Sequence, residues 1–537
     1  MKTLTNTLKT LFLPALIVII SGCSGTINTA RYLDASNGDD SRDGKTPETA
    51  WKSLEKVNSV EFGPGAEILF KSGEKWTGEL TPLGSGQEDK LIRIDKYGEG
   101  EKPVIHGDGG LFTIYLFNQE YWEISNLEIT NYNALEEGLD MEAWEQKNIS
   151  YWVETDTIRP KYTEERTRKT AILVEAEDIG RVSHLHFSDL EIHGVNGTII
   201  DKHNGGLFLR IKGDSLPTYF DGLLVENCHF HDLDNTGMAN TSSWMTRSLT
   251  ENTNWVPSKN VVIRNNRFER TAANALIVRV SDSALIEHNL FTHCAIKRSG
   301  NAFYPFNCDN TIMQYNEACF TKYNEGDGDA GGFDSDWRSK NCLIQYNYSH
   351  DNEYGALLVC CNGADDGFND GTIVRYNIFQ NEGHHVIRVS GKTTNTTIHN
   401  NVIYTGEGVS EIDIIWHKSW NGFPDNTSYY NNIFYNLGAD NRYEFSKSTN
   451  NLFSHNIFYG KPVANEPVDE NKIISDPMFI DPGSGGMGFS SIEGYKINQG
   501  SPAINTGKII PGNVGVDLWG NEITENQSTD RGVMEFK

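Results

Sequence analysis

One pattern recurs through the second half of this chain: a short apolar run, one asparagine, and a second short apolar run. The recurring asparagines, which follow one another after 23, 27, 31, 30, 24, 31 and 24 residues, are Asn266, Asn289, Asn316, Asn347, Asn377, Asn401, Asn432 and Asn456. Repeats of about 20 to 50 residues with variable length are typical of solenoids, because insertions between strands leave the coil intact. The repeat therefore predicts a stack of short strands in which each turn of the chain contacts the next.

The asparagine has two expected roles in such a coil. Each turn needs a sharp bend, and asparagine tolerates the left-handed backbone conformation that sharp bends use. Stacked asparagine side chains can also hydrogen-bond from one turn to the next. In this respect the chain resembles the right-handed parallel β-helix proteins of the pectate-lyase-like superfamily, over roughly residues 30–459, and the segments near Asp189 and Asn227 have the same style. The resemblance implies an all-β solenoid but no single reaction, because this fold carries lyases, hydrolases, epimerases and binders.

Four segments are expected along the chain. Residues 1–22 form a signal peptide, 23–30 a linker, 31–459 the β-helix with an N-terminal cap and an insertion around 134–170, and 460–537 a C-terminal capping segment and tail. For the N-terminal cap we predict a helix with Thr46 as N-cap and Pro47 at its first position, since these residue types begin helices. Trp51, Leu54 and Val57 would form its apolar stripe.

The N-terminus predicts export and lipidation. Lys2 and Lys9 precede an apolar run from Leu11 to Ile20, which is too short to span a bilayer and fits a secretory signal. The segment LVIISGC resembles a bacterial lipoprotein signal, which implies cleavage before Cys23 and lipidation of that cysteine. Lipidation would tether the protein to the outer membrane of the bacterial cell envelope, on its periplasmic or cell-surface face. An ordinary secretory signal is the alternative.

Charge and cysteine content narrow the function classes. The net charge is −27 and the isoelectric point about 4.9, so the basic footprint of a nucleic-acid-binding protein is missing. An acidic balance is compatible with a sugar-binding or metal-binding cleft, and also with plain solubility. Seven cysteines follow Cys23 without any Cys-x-x-Cys pair, so we interpret most of them as small buried residues. We expect a monomer.

The segment GGFDSDWR predicts where the chemistry lies. Side chains alternate between the two faces of a strand, which places Asp334 and Asp336 on one face and Phe333 and Ser335 on the other. Two unpaired acids inside the coil would be very costly, so the acids are expected to face outward. Neighbouring turns lie about 4.8 Å apart, and on the same outer face they would add three flanking cations, Arg279, Arg388 and His417.

This groove gives the candidate site residues. The candidate catalytic residues are Asp336, Asp334, Asp365, Asp366, Glu353, Arg388 and His417. The candidate substrate-binding residues are Trp337, Arg338, Arg279, His384, His385, Lys392, Trp416 and Trp420. Asp327 and Asp329 are oxygen-rich enough to hold Ca²⁺, the one ion that we consider; no other cofactor is expected.

Three functions fit such a groove. In a glycoside hydrolase two carboxylates flank the scissile bond, and Asp336 would be the nucleophile or base. The phrase FDSDW resembles β-helix glycosidases with a catalytic Asp before Trp, although this chain has Val359-Cys360-Cys361 where some of them carry a Glu. In a polysaccharide lyase, Arg, Lys or His groups would act on a uronate, with Ca²⁺. A non-catalytic glycan binder needs only aromatic platforms.

Among these we favour a lipid-anchored hydrolase of a complex plant or algal polysaccharide, with ulvan-like polymers among the expected substrates. The lyase and the binder remain the alternatives. The partners would be a polysaccharide or oligosaccharide and a membrane reached through the lipid at Cys23.

Overall fold

The computed structural model describes residues 26–153, 166–324, 326, 328–364, 366–463 and 465–537. The predicted signal sequence and Cys23 lie outside these residues, as do Asp327 and Asp365. Among the helices in the described ranges, none combines the length and apolar character that crossing a bilayer requires.

The described chain winds through three long sheets of parallel strands, and a typical turn contributes one strand to each. Sheet A precedes the asparagine and comprises Ala30–Leu33, Glu67–Lys71, Ile92–Tyr97, Trp122–Ser125, Arg181–Ser188, Tyr219–Glu226, Lys259–Arg264, Leu285–Glu287, Ile312–Gln314, Leu343–Gln345, Ile373–Arg375, Thr397–His399, Ser428–Tyr430 and Leu452–Ser454. Sheet B follows it and comprises Lys75–Thr77, Val104–His106, Glu128–Asn131, Glu191–Val195, His229–Leu233, Arg267–Thr271, Leu290–Thr292, Glu317–Cys319, Tyr348–His350, Ile378–Gln380, Val402–Thr405, Ile433–Asn436 and Ile457–Gly460.

Sheet C comprises Phe112–Phe117, Thr170–Glu177, Gly205–Lys212, Thr236–Ser242, Leu276–Arg279, Phe303–Phe306, Gly331–Ser335, Gly355–Cys361, His385–Gly391, Asp413–Lys418 and Arg442–Glu444. Shorter strands are Ser339–Lys340, Asn369–Asp370 and Thr393–Thr394, and the hairpins Met245–Thr246 with Asn254–Trp255 and Gly515–Val516 with Glu522–Ile523. The helices are Leu54–Asn58, Ala134–Glu137 and Met141–Val153, with 3-10 turns at Pro47–Thr49 and Phe489–Tyr495. The predicted all-β parallel β-helix is confirmed.

The eight asparagines form a continuous ladder inside the coil. In seven successive steps the Nδ2 of one asparagine donates to the Oδ1 of the next at 2.9 to 3.1 Å. The same Oδ1 accepts the backbone N–H of the preceding asparagine, and a second amide hydrogen reaches a carbonyl, as from Asn347 to Met313 O at 2.9 Å. At the last step Asn456 donates to Asp469 Oδ2 at 3.0 Å. These buried amides are therefore satisfied only when consecutive turns are in register.

The left-handed bend lies one residue earlier than the sequence suggested. The positive φ angles, between 53 and 60°, belong to the residues before the ladder asparagines: Asn265, His288, Tyr315, Tyr346, Tyr376, Asn400, Asn431 and His455. The expectation that the ladder asparagine itself takes this conformation is wrong. The ladder position requires asparagine because its side-chain amide makes the hydrogen bonds between turns. The preceding position, which forms the bend, accepts Tyr and His as well as Asn.

The predicted N-terminal helix forms in two pieces. Pro47–Thr49 is a 3-10 turn, and the α-helix spans Leu54–Asn58, with the Oγ of Ser53 accepting a hydrogen bond from Lys56 N at 3.1 Å. Trp51 lies between the two pieces in extended backbone that bridges to Leu33, which explains the interruption. Trp51 and the helical apolar residues are buried in the core at this end of the coil, as the stripe predicted.

The C-terminal segment covers much more than the end of the coil. After Asp469 closes the ladder, the chain runs back along the outer face of sheet B. There its Tyr495, Ile497 and Val533 pack with outward apolar residues of successive turns, among them Ile378 and Ile433. This packing explains why outward positions of sheet B are apolar in the last turns.

The buried cysteines agree with their interpretation as small core residues. Within the described residues, Cys228, Cys294, Cys308, Cys319, Cys342, Cys360 and Cys361 are all buried and unbridged. One of them, Cys360, nevertheless contacts the outward acids.

We expect the ladder to contribute strongly to stability. Asn347→Ala removes the acceptor of the Asn316 backbone N–H and of one Asn316 side-chain amide hydrogen, and it removes the side-chain donor to Met313 O, so it should lower the free energy of unfolding by at least about 2 kcal/mol. Urea unfolding followed by circular dichroism measures this. The control Asn252→Ala, at an exposed position, should change the value by less than about 0.5 kcal/mol. Equal effects of the two substitutions would contradict the structural role of the ladder.

Candidate active site

The two acids leave the strand Gly331–Ser335 of sheet C on its outer side. Phe333 and Ser335 point into the coil and are buried, so alternation turns Asp334 outward, and Asp336 follows directly after the strand. Asp334 pairs with Leu358 on the next strand, which pairs with Arg388 on the one after. Although it faces outward, Asp334 is only 3% exposed. The surrounding loops must therefore shield it from water.

The two carboxylates share one thiol neighbour. Ligand atoms of Asp334, Asp336 and Cys360 all lie within 4.8 Å of one another. The Cys360 thiol donates to Asp336 Oδ1 at 3.1 Å and lies 3.8 Å from Asp334 Oδ1. Asp334 Oδ2 accepts the Asn301 amide at 3.0 Å, and Asp336 Oδ1 accepts the Trp337 backbone N–H at 2.6 Å. None of these three donor groups carries a positive charge.

Burial raises the pKa of both acids. For Asp334 the pKa is raised well above the usual carboxyl range by burial, and the charges of Asp336 and Asp329 add to this effect. Burial also raises the pKa of Asp336, while the hydrogen bonds from Trp337 and Cys360 oppose the rise. Because both pKa values are raised and two neighbouring carboxylates repel each other, the pair is expected to hold one proton at a pH at which separate carboxyls would both be ionised. When one of two neighbouring carboxyls is protonated and the other is ionised, the first can act as a general acid and the second as a nucleophile.

A cavity of about 320 Å³ opens above the acids toward the later turns. Its lining residues are Gly328, Asp329, Asp334, Asp336, Leu358, Cys360, Arg388, Ser390, Lys418, Ser419 and Trp420. A volume at the lower end of the range of about 300 to 1,000 Å³ fits a small-molecule site better than a wide polymer channel. Leu358 and Trp420 add apolar surface to a lining that otherwise carries acids and cations.

Two cations and a third acid complete the cavity. Arg388 donates to Gly328 O at 2.5 Å, and its guanidinium lies 3.6 Å from Asp329 Oδ1. The loop that precedes Gly331 is thus attached to a strand two turns further on. Lys418 Nζ lies 4.4 Å from the ring centroid of Trp416, and burial lowers the Lys418 pKa. The structure places Asp329 with the paired acids; Asp327, its expected partner for Ca²⁺, lies outside the described residues.

One predicted groove residue faces the opposite way. His417 is fully buried inside the coil, where its Nδ1 lies 2.8 Å from Ser448 Oγ and its Nε2 lies 2.9 Å from the Tyr429 hydroxyl. Burial lowers the pKa of His417 to about 3, so it stays neutral. The prediction that it flanks the acids is wrong, because its neighbour Trp416 takes the outward position and alternation sends His417 inward.

Other candidates lie near the cavity without lining it. His385 is buried beside Tyr354 and Trp416, and burial lowers its pKa well below the usual range. His384 stacks on Tyr354 at 4.9 Å. Arg279 lies two strands before the acids and donates to Asn240 O at 2.8 Å.

The remaining candidates lie at turns. Arg338 has a φ of 58°, which ends the alternation, and its guanidinium lies over Trp337 at 4.3 Å instead of facing the groove. Glu353 forms an ion pair with Lys322 at a corner of the coil. Lys392 and Asp366 are exposed outside the cavity lining, and Asp365 lies outside the described residues.

Sequence reasoning missed the residues that complete the cavity. Cys360 was noted only as a departure from a glycosidase pattern, yet it is the group that touches both acids. Lys418 was not considered, although it shares the outward parity of Trp416 and was detectable by counting along the strand. Asn301 and Ser390 gave no such signal, because they reach the site through the stacking of separate turns.

The raised pKa of Asp334 predicts a pH-dependent cost to stability. The folded protein binds the proton of the Asp334 carboxyl more tightly than the unfolded chain does. The stability that this proton contributes is therefore complete below the ordinary carboxyl pKa of about 3.9, and it is lost as the pH rises through the raised pKa of the folded state. Asp334→Asn should therefore raise the free energy of unfolding at pH 8 relative to the unsubstituted protein, with little difference at pH 4. The expected gain is about 1.4 kcal/mol for each pH unit between the two pKa values.

Urea unfolding at both pH values measures this gain. Asp413→Asn is the matched control, because Asp413 is also buried on sheet C but is held at 2.5 Å by Arg442. Its substitution should not stabilise the protein at either pH. A pH-independent effect of Asp334→Asn would contradict the raised pKa.

Comparisons with known proteins place the fold of this chain among β-helix proteins. No family model matches the chain. A lacto-N-biosidase of Bifidobacterium longum subsp. longum is 25% identical over 575 residues, and the match covers 90% of this chain but 34% of that protein's length. The native structure of GH136 lacto-N-biosidase from Eubacterium ramulus has a TM-score of 0.58 at 21% identity, covering 79% of this chain and 68% of that chain. Its selenomethionine derivative gives 0.59 at 22%, with 78% and 67% covered. The solved structures thus share the fold of this chain.

Proposed function

We propose that this protein is a glycoside hydrolase that cleaves its substrate at the cavity above Asp334 and Asp336. The observation that carries the proposal is the pair of acids itself. Carboxylate oxygens of Asp334 and Asp336 lie within 4.8 Å of each other at the floor of an open cavity. Among the hydrogen bonds and ion pairs of the described residues, no cationic side chain contacts either carboxylate. Retaining glycosidases use carboxyl groups about 5 to 5.5 Å apart, whereas inverting enzymes need about 6.5 to 9.5 Å. The separation therefore favours retention.

In this mechanism the two acids act in sequence. Asp336, ionised, attacks the anomeric carbon while Asp334 gives its proton to the leaving glycosidic oxygen, so one C–O bond forms as another breaks. The product of this step is a glycosyl ester on Asp336. Asp334, now a carboxylate, then takes a proton from water as the water attacks the anomeric carbon and displaces the Asp336 carboxylate. This second attack releases the sugar and restores both side chains.

The relatives suggest the activity to test first. Both matched proteins are named lacto-N-biosidases, and the match with the Bifidobacterium protein extends over most of this chain. We therefore propose an oligosaccharide substrate and place lacto-N-biosidase activity first, ahead of plant or algal polymers such as ulvan. The small volume of the cavity supports a short bound segment rather than a long polymer track.

The cellular setting is also part of the proposal. The LVIISGC segment supports lipidation at Cys23 and attachment of a monomer to the bacterial outer membrane, where a glycan substrate would be met. Radiolabelled fatty acid fed to expressing cells should enter the protein, and Cys23→Ala should abolish the label. A label that persists in this variant would contradict lipidation at Cys23.

Removing either acid should abolish hydrolysis. Asp336→Asn removes the nucleophile and Asp334→Asn removes the acid, and each should lower kcat by about 10²- to 10⁴-fold. The protein is incubated with an oligosaccharide that ends in lacto-N-biose and with a panel of plant and algal glycans, and the released sugars are measured by chromatography. The anomer released first, followed by NMR, should retain the configuration of the substrate.

Asp366→Asn is the matched control, since Asp366 is an exposed acid outside the cavity lining, and it should keep full activity. Asp329→Asn tests the third cavity acid. If Asp334→Asn stays active while Asp329→Asn is inactive, the assignment of Asp334 as the acid is wrong.

Arg388 and Lys418 favour one second candidate, a polysaccharide lyase. A guanidinium can neutralise a uronate carboxylate, and a lysine with a lowered pKa can remove the adjacent proton. Product absorbance in the unsaturated-uronate band distinguishes this reaction from hydrolysis. In that case Lys418→Met, rather than Asp334→Asn, should remove the activity.

A further inference from the structure

A second group of chemically reactive side chains lies on sheet A, remote from the cavity. His184 and His186 belong to the strand Arg181–Ser188, and Glu123 belongs to the preceding strand of the sheet, Trp122–Ser125. His186 pairs directly with Glu123 in the parallel register. The three side chains therefore meet on the outer face of two consecutive turns.

Their donor atoms converge on one point. His184 Nε2 lies 3.2 Å from Glu123 Oε1, and His186 Nδ1 lies 3.7 Å from the same oxygen. All three donor atoms lie within 4.8 Å of one another. The ligand atoms of a tetrahedral zinc site are about 2.0 to 2.2 Å from the metal, so neighbouring ligands are separated by about 3.3 Å. The two distances from imidazole nitrogens to Glu123 Oε1, 3.2 and 3.7 Å, are close to this value.

The backbone supports this arrangement at a cost. His184 has a φ of 52°, a left-handed conformation that non-glycine residues seldom adopt inside a strand. It brings the two imidazole rings to a centroid separation of 3.6 Å.

Glu123 is oriented by an outer partner. Arg93 Nε donates to Glu123 Oε2 at 2.7 Å, which leaves Oε1 directed toward the histidines. Outer hydrogen bonds of this kind hold metal ligands in place.

We propose that Glu123, His184 and His186 bind one Zn²⁺ ion, with solvent as the fourth ligand. Two imidazoles and a carboxylate suit this metal. Each of the three side chains is 27% exposed, so the ion can enter from solvent. It would join strands whose ligands are 61 residues apart in the chain, with the helix Met141–Val153 between them. The ion thus clamps the turns on either side of the insertion.

A neighbouring histidine group on sheet B has the same close spacing of ligand atoms but a different pattern of carboxylate contacts. Each ring nitrogen of His193 has its own carboxylate, Glu145 at 2.7 Å and Glu128 at 3.1 Å. His231 is likewise held between Asp232 at 2.8 Å and Glu191 at 3.4 Å. Such pairs share protons between imidazoles and carboxylates and need no metal. On sheet A, by contrast, two imidazoles converge on a single oxygen.

Titration calorimetry of the EDTA-treated, full-length protein with ZnCl₂ tests the proposal. We expect one Zn²⁺ per chain and a higher unfolding temperature in its presence. His186→Gln and Glu123→Gln should abolish this binding event, and Arg93→Gln should weaken it by about 10- to 100-fold. With Co²⁺ in place of Zn²⁺, visible absorption bands should report tetrahedral coordination and vanish in His186→Gln.

His229→Gln, in the sheet B group, is the matched control and should leave both stoichiometry and affinity unchanged. The substituted side chains are all partly exposed, and circular dichroism of each variant is used to check that it is folded. The proposal is overturned if the unsubstituted protein takes up no Zn²⁺, if the sheet A variants bind as tightly as the unsubstituted protein, or if only His229→Gln loses the ion.

Discussion

The structure depends on the requirement that a buried amide must find hydrogen-bond partners. A row of asparagines inside an apolar coil would be prohibitive if each side chain were alone, since an unsatisfied buried polar group costs about 1 to 3 kcal/mol. Here each ladder asparagine before Asn456, such as Asn316, is satisfied by the asparagine of the next turn and by a backbone carbonyl, and Asn456 uses Asp469 in place of a further asparagine. The ladder therefore penalises any slip between turns, and the loops can vary in length without changing the register of the sheets.

This fixed register is what assembles the candidate active site. Asp334, Leu358 and Arg388 belong to three different turns, yet strand pairing places them in one outward column. Their separation along the column is set by strand spacing alone, about 4.8 Å per turn. A cavity floor built in this way is rigid before any substrate arrives, which favours catalysis because the reacting groups need no rearrangement. Burying two neighbouring carboxyls costs folding free energy, and this cost is reflected in their raised pKa values. The packing and hydrogen bonds of a long coil in register can offset it.

The regular asparagine repeat and the alternation of side chains along each strand made the fold and the outward position of Asp334 and Asp336 predictable. The wrong predictions concern residues at which this regularity ends or was not followed. Alternation was sufficient for Asp334, but it was applied inconsistently to Trp416 and His417, which are adjacent and cannot both face outward. At Arg338 a left-handed residue ends the alternation, and a sequence gives no reliable sign of such a turn for arginine. Asp329 reaches the cavity because its loop is attached to Arg388, a contact between residues that are distant in sequence. Contacts of this kind follow from the stacking of loops, which has no period.

Comparison of two acids on sheet C shows what distinguishes a reactive carboxylate from a structural one. Glu175 faces outward, is mostly buried, and pairs in register with Arg210, whose guanidinium lies 3.0 Å away. Asp336 has the small, uncharged thiol of Cys360 on its neighbouring strand instead. An arginine there would hold the carboxylate ionised and fill the cavity, whereas a cysteine leaves space for a sugar and allows burial to raise the pKa. In the proposed mechanism, the residue opposite the acid therefore decides whether a turn of the coil offers a carboxylate that is free to react.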